Sequence, residues 1–381
     1  MRSTPLLVAL ALLSACAPSS RVTASAPEVS AVSSATKPMT PPASRTEGSP
    51  ASPAPSRYRL VSVDVFGSRR YSREELLATF GVPEGRDVDL AGGELRREAK
   101  QGKERLLSRF SFALAAIGIT NYEDTHTVEV TVNLVDVGDE WRLAFAPAPD
   151  GSPEDPDGLV AAWAAHEETA GALYLAGQVP AGDGPCKAFH CGTGFGHPTL
   201  APLEARFITG VPAHFEALVR VLRYEKDEYR RSLVPFLLAY GRTREEVAEA
   251  LLPSLQDSSP AVRNNAMRVL WHTQRGASRP LVPLAPVLRA LHGPVTSDRN
   301  KASVLLGAVV EKDATLRLTA LREAGPVLLE MVAMRQRTDR NGALLALRAL
   351  AGRDLGEDPA AWRAWAEATL SKAGAEEASR Q

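Results

Sequence analysis

Apolar side chains recur at helical spacing through residues 246–272, and a polar break divides them into two runs. The apolar positions are Val247, Leu251, Leu252, Leu255, Val262, Ala266, Val269 and Leu270. In the break, Ser258 or Ser259 can cap a helix, and Pro260 suits a first helical position, where a missing N–H costs nothing. The pattern therefore predicts two short helices joined by a tight turn.

This helical hairpin cannot bury both apolar faces alone, so it predicts further copies as neighbours. Four stretches superimpose on an arginine that is followed seven residues later by a leucine, with spacings of 33 to 41 residues. These arginines are Arg230, Arg263, Arg299 and Arg340. The spacing predicts a stack of helix pairs over residues 200–371, closed by Trp362 and Trp365 and followed by a frayed tail at 372–381.

The turn of the clearest copy resembles a HEAT repeat, because Asp257 is followed at the family's spacing by Val262, Arg263, Ala266 and Leu270. The resemblance implies an all-α HEAT-like solenoid in which aspartates and arginines form polar ladders along the stack. An asparagine follows three of the arginines, which fits a repeated role in bonding the backbone of each turn. The expected ladder residues are Asp257, Arg263, Asn264, Arg299, Asn300, Arg340 and Asn341.

Residues 57–147 predict a small α+β domain with the order β-α-α-β-β. Residues 58–66 alternate as a strand does, and Ser72 with Glu75 forms a capping box that opens a helix. The later elements are a charged helix at about 91–109 and β-prone segments at 110–122, 127–136 and 141–145. The whole chain is thus expected to be multidomain, with the α+β part first.

Several short motifs in the α+β domain resemble a POTRA domain, a small module of envelope assembly and transport proteins. The motifs are Val63-Asp64-Val65-Phe66-Gly67, Tyr71-Ser72-Arg73-Glu74-Glu75-Leu76 and Gly81-Val82-Pro83-Glu84-Gly85-Arg86. The resemblance covers about 90 residues and implies a POTRA-like fold. It does not imply a role in transport. An acidic, proline-rich stretch at 148–158 predicts a solvated linker to the helical part.

The first residues predict an exported, lipid-anchored protein. Arg2 precedes an apolar run at residues 6–13 that is too short to span a bilayer. The motif Leu13-Ser14-Ala15-Cys16 then resembles a bacterial lipobox. The resemblance implies removal of residues 1–15 and attachment of lipid to Cys16, which stably anchors the protein to a membrane.

Residues 16–56 contain much Pro, Ser and Ala and almost no large apolar residue, so they predict a disordered tether. The expected location is the bacterial cell envelope, with the folded part facing the periplasm. Ala17, directly after the lipobox cysteine, slightly favours the outer membrane.

Residues 159–199 predict an Ala-rich helix followed by a glycine-rich loop that holds the two remaining cysteines. In an exported protein, Cys186 and Cys191 most simply form a disulfide. The alternative is a zinc site made by Cys186, His190, Cys191 and His197, which has suitable ligand types but an awkward adjacent pair.

Composition and missing motifs exclude several classes of function without identifying the partner. The formal net charge is −1, which gives no electrostatic reason to expect nucleic acid as a partner. The sequence contains no nucleophile elbow, HExxH or Walker motif, so we expect neither an enzyme nor a cofactor or small-molecule substrate. The function expected is a scaffold that binds one or more envelope proteins. The alternative is a metal-binding or redox-sensing protein centred on the Cys186/Cys191 loop.

Overall fold

The structure, a computed structural model, describes residues 57–179 and 186–379. The expected signal segment, Cys16 and the tether lie outside the described residues. Within them, a small mixed sheet with two helices precedes a mostly helical part in a repeat-like arrangement. The broad prediction of an α+β domain followed by a helical one is therefore confirmed. Across these two ranges, no helix has both the length and the hydropathy needed to cross a membrane.

One four-stranded sheet forms the N-terminal domain. In spatial order its strands are β2 (Arg86–Asp89), β1 (Arg57–Phe66), β4 (Thr127–Asp136) and β3 (Phe112–Tyr122). The central pair, β1 and β4, is parallel, and the outer pairs are antiparallel. Two helices, α1 (Arg73–Phe80) and α2 (Glu94–Arg109), share an apolar core with the strands. The capping box acts as predicted, since the Ser72 hydroxyl accepts a hydrogen bond from the Glu75 amide.

The predicted order β-α-α-β-β is wrong by one strand, because β2 lies between the two helices. This strand is only four residues long and three of them are charged, so it has no hydrophobic alternation to detect. The expected extension of the last strand over 141–145 is also wrong. Residues Glu140–Leu143 form a 3₁₀ turn instead.

Helix α3 (Leu159–Leu175) opens the helical part, and four helix pairs follow. The pairs are α4 (Ala201–Tyr224) with α5 (Glu228–Leu238), α6 (Arg244–Leu251) with α7 (Pro260–Arg275), α8 (Leu284–Leu291) with α9 (Thr296–Val310), and α10 (Arg317–Val332) with α11 (Arg337–Ala351). The second helices pack in a row, α5 on α7, α7 on α9 and α9 on α11. Their apolar faces belong to one continuous core.

The last helix, α12 (Pro359–Ala378), packs against α10. Trp362 is fully buried in the helical core, while Trp365 packs at its margin, edge-on to the Trp362 ring. The helix continues through most of the tail that the sequence predicted to be frayed, and Arg322 of α10 pairs with Glu377 near its end at 2.5 Å.

The stretch predicted as a solvated linker (148–158) and the residues just before it are held against the helices by hydrogen bonds. The Ala146 amide donates to the Gln256 carbonyl at 2.7 Å, and the Lys226 amide donates to the Gly151 carbonyl at 2.9 Å. Asp155 then accepts hydrogen bonds from two amides in the first turn of α3. We call residues 144–155 the connecting segment. Its contacts run along the turns inside the helix pairs, a course that loop-like composition does not indicate.

Candidate functional site

A ladder of buried ion pairs links successive second helices. In α5, α7 and α9 the fourth residue is an arginine whose guanidinium bonds an aspartate of the next repeat. The pairs are Arg231–Asp257 at 2.9 and 3.0 Å, Arg263–Asp298 at 2.7 and 2.9 Å, and Arg299–Asp339 at 2.6 Å. Each guanidinium also donates to the carbonyl six residues earlier, in its own turn. The arginines are almost fully buried.

The ladder differs from the sequence prediction in its first member. Arg231 takes the position assigned to Arg230, which instead pairs with Glu225 at 2.9 Å. The fourth arginine, Arg340, is partly exposed and bonds Glu357 at 3.1 Å, so the last rung lies at the surface. Asp257 belongs to the ladder as expected, but its partner is Arg231 of the preceding pair of helices.

The three asparagines do not share one role. Asn300 bonds the Thr338 carbonyl of the next second helix at 2.6 Å. In α7 it is Asn265 that bonds a backbone, and it reaches back to the Ser232 carbonyl of the preceding second helix at 2.9 Å, while the Asn264 side-chain oxygen has no partner among the described residues. Asn341 is exposed at the surface of the last second helix. The predicted common role of the three asparagines is therefore wrong, since the two backbone bonds come from different positions and run in opposite directions along the stack.

Burying the ladder aspartates is unfavourable, and the neighbouring arginines compensate for it. Burial raises the pKa values of Asp298 and Asp339, and the adjacent guanidinium groups of Arg263 and Arg299 oppose that rise. A buried carboxylate is tolerated only when a cation and hydrogen bonds compensate its lost hydration. The ladder aspartates consequently depend on their arginine partners.

The protein's own N-terminal half covers the ladder. The Arg299 guanidinium lies 3.7 Å from the centroid of the Phe66 ring at the end of β1, and it donates to the Asn133 side chain of β4 at 2.8 Å. The Arg263 guanidinium lies 3.9 Å from the Phe145 ring. Sequence reasoning placed these arginines in a ladder but missed that its edge is a docking surface.

Carboxylates of the sheet also cap the N-terminus of α11. Asp64 of β1 accepts from the Arg335 and Gln336 amides at 3.1 and 2.8 Å, and Glu129 of β4 accepts from the Arg337 amide at 3.0 Å. Helix N-termini leave amides without partners inside the helix, and negative charge there is favourable. The sheet therefore completes a helix that is distant in sequence.

Two further side chains, Glu330 and Arg142, fasten the end of β1 to the helical part. Glu330 of α10 accepts from the Gly67 amide at 2.7 Å. The Arg142 guanidinium donates to the carbonyls of His292 and Gly67, both at 2.9 Å. Gly67 adopts a φ of +95°, and a side chain there would meet the Leu134 carbonyl oxygen at 2.5 Å. Only glycine fits this junction.

The cysteine loop brings Cys186 and Cys191 to disulfide-bonding distance, with Cα atoms 5.5 Å apart. Cys191 is buried in the helical core and Cys186 is exposed.

The ring centroid of buried His190 is 4.3 Å from that of His272, and burial, helped by neighbouring cations, holds the pKa of His190 well below its usual range. His197 accepts a bond from the Thr199 amide at 3.3 Å. Over 57–179 and 186–379, no three His, Cys, Asp or Glu side chains are grouped to hold a metal ion.

A cleft of about 540 Å³ opens where the sheet and α12 both pack on α10. Side chains from the end of β1 and from α1 form one wall, α10 forms the floor and α12 forms the other wall. The lining is mainly apolar, with arginines contributed by each of the three helices. Junctions of this kind are common places for ligand sites.

The outer strand β3 gives the sheet a long open edge. It pairs with β4 over its length, and none of its main-chain groups bonds any other part of the described chain. Its sequence, FALAAIGITNY, contains no charged residue and no proline. The opposite edge, β2, is short and charged, as protected sheet edges usually are.

Comparisons with protein families, with curated proteins and with solved structures found no match.

Proposed function

We propose that this protein is a lipid-anchored, periplasm-facing interaction scaffold of the bacterial cell envelope. It holds its folded part on a tether (residues 16–56) that starts at lipid-bearing Cys16. That part combines a POTRA-like domain with a HEAT-like solenoid, and the repeated Arg–Asp ladder supports the second assignment. Its partner is one or more envelope proteins, and it is not an enzyme.

The observation that carries the proposal is the open edge of β3. An extended segment of a partner can add to such an edge, because unpaired amides and carbonyls on each side satisfy one another. Natural proteins usually block such edges with charge, proline or a short strand. Eleven uncharged residues without a block fit a surface that is kept available for pairing.

The test is capture of partners from solubilised envelopes by chemical crosslinking to the full chain. The variant Leu114→Lys/Thr120→Lys adds charge to β3 at two half-buried positions that belong to neither apolar core. The matched control, Asp87→Lys, adds charge to β2 on the opposite edge. We expect the β3 variant to lose stoichiometric partners that the control retains. Equal recovery with both variants would refute pairing through β3.

The anchor has its own test. Cys16→Ser should release the chain from membranes or block its processing, because the thioether needs the cysteine sulfur. Unchanged membrane association would refute lipidation as the means of attachment.

A redox-sensing function is the second candidate, and the exposure of Cys186 beside its buried partner supports it. Reductants could reach the outer sulfur without unfolding the helical core. Thiol titration and elemental analysis of the purified protein distinguish the possibilities. Stably oxidised thiols without bound metal would leave a structural disulfide and remove both the sensing and the metal-binding versions.

A further inference from the structure

The cleft at the junction of the sheet with α10 and α12 has an apolar floor. Leu321, Gly325 and Leu329 lie one helical turn apart along α10, so they face the same way. Gly325 leaves open space, since a Cβ built there meets only the Leu321 side chain, at 3.4 Å. Leu76 of α1 and Leu370 of α12 add apolar surface from the two walls.

Three guanidinium groups line the cleft, and two of them already have ion-pair partners. Arg73 pairs with buried Asp64, and Arg322 pairs with Glu377. Arg363 of α12 forms no ion pair or hydrogen bond with any described residue. An arginine without a partner at the margin of an apolar cleft offers a planar, paired donor geometry that suits a carboxylate.

Two carboxylates of the lining set the charge balance. Glu330 is already engaged, because its side chain accepts the Gly67 amide. Glu367 is exposed on α12, one turn beyond Arg363. It therefore opposes an anion bound at Arg363, and its removal should strengthen binding of that anion.

We propose that this cleft binds a free fatty acid, with its single alkyl chain along the α10 floor and its carboxylate on Arg363. A volume of about 540 Å³ suits one small ligand and is open enough to admit a chain from the side. The apolar floor provides burial without a polar group that would need a partner midway. This site is separate from the β3 edge, and the scaffold function can fail without affecting it.

The experiment uses the full chain carrying Cys16→Ser, purified without detergent, so that no acyl group of its own competes. The probe is 11-(dansylamino)undecanoic acid, followed by fluorescence and displaced by saturated fatty acids of increasing length. Each added methylene should tighten displacement by about two- to fourfold until the cleft is filled. Absence of probe binding, or no dependence on chain length, would overturn the proposal.

Paired variants test the head group. Arg363→Gln should weaken dodecanoate binding by at least about tenfold, the effect of losing a charge-assisted bond, and Glu367→Gln should strengthen it. Both positions are exposed, so neither change threatens the fold. Dodecanol binding as tightly as dodecanoate, or equal binding by both variants, would overturn recognition of the carboxylate. Tighter binding of lysophosphatidylglycerol than of a fatty acid of equal length would overturn the assignment to free fatty acids.

Gly325 provides the variant that fills the cleft. Gly325→Phe should abolish probe binding, and Gly325→Ala should retain it while slightly raising the melting temperature through better helix propensity. Retained binding in a folded Gly325→Phe protein would place the ligand elsewhere and overturn the proposal. If Gly325→Phe is destabilised, Gly325→Leu replaces it, provided that its melting temperature is unchanged. It should also abolish probe binding, and retained binding would overturn the proposal.

Discussion

The guanidinium of Arg299 stacks on the ring of Phe66, 3.7 Å from its centroid, although the two residues belong to different domains. Phe66 lies at the end of a strand, yet its side chain belongs to the core of the helices and not to that of the sheet. Arg299 meanwhile bonds Asp339 of the next second helix. One side chain thus serves both the repeat stack and the junction between domains.

This relationship predicts a large loss of stability for Arg299→Met. The change leaves Asp339 buried without its cation, which typically costs about 3–5 kcal/mol. Arg340→Met is the control, because its pair with Glu357 is exposed and such pairs contribute about 1 kcal/mol or less. The free energy of unfolding in urea measures both. Arg299→Met/Asp339→Leu should recover much of the loss, and similar losses at the two arginines would contradict a buried ladder.

A second prediction concerns the glycine that follows β1. Gly67→Ala should destabilise the protein by more than the roughly 1–2 kcal/mol that positive φ costs a residue with a Cβ, because the methyl group also meets the Leu134 carbonyl. Gly138→Ala is the control, because it measures the cost of the positive φ alone. There φ is +103° and nothing lies within 4 Å of the added carbon. Thermal denaturation of the two variants should differ clearly. Equal losses of melting temperature would show that the residues around Gly67 move aside to accommodate the methyl group without further cost.

A third prediction is a pH dependence at the cap of α11. Burial is the largest influence on Glu129 and raises its pKa above the usual value of 4.5, despite opposing hydrogen bonds from the Arg337 amide and Tyr122. Between 4.5 and the raised pKa, the folded state binds more protons than the unfolded chain does. Stability relative to Glu129→Gln should therefore rise as pH is lowered through that interval and level off below it.

Urea denaturation of both proteins at a series of pH values measures this difference. Glutamine is a suitable reference because its side-chain oxygen can still accept the Arg337 amide. A difference that falls on acidification would mean that Glu129 is held ionised by Arg337, whose guanidinium lies 3.4 Å away.

A fourth prediction separates the cysteine loop from the fold. The disulfide closes a short ring, so its loss should lower the free energy of unfolding by only about 2 kcal/mol. Cys186→Ser/Cys191→Ala should keep the helical circular dichroism of the unmodified protein. Loss of cooperative unfolding would show that the loop helps to hold the first helix pair together.

The sequence predicts local features of this fold well because they leave local patterns. The Ser72 cap, the alternating β1 and β4, and the amphipathic helices are each encoded within a single element of the chain. The short strand β2 has no such pattern. The choice of Arg230 over Arg231 failed for a related reason, because two adjacent arginines leave the helical register open until the start of α5 at Glu228 is known.

The junction between the domains was beyond sequence reasoning. The contact of Arg299 with Asn133 joins residues 166 positions apart, and that of Asp64 with Gln336 joins residues 272 apart. In a single sequence nothing marks such pairs, since each residue also fits an ordinary place in its own element. The cleft is a product of the same junction, so the sequence could not indicate it either.

The connecting segment sets how many helix pairs fit between Glu225 and Arg289. Its contacts pass from Arg289, which bonds the Ala144 carbonyl, to Gln256 and then to Glu225, so it spans three helix pairs in one extended run. A duplicated helix pair within that span would separate its end points by roughly another 10 Å. About three extra residues would be needed to bridge the gap. The segment therefore acts as a ruler for the first three helix pairs, and a duplication among them requires the segment to lengthen as well.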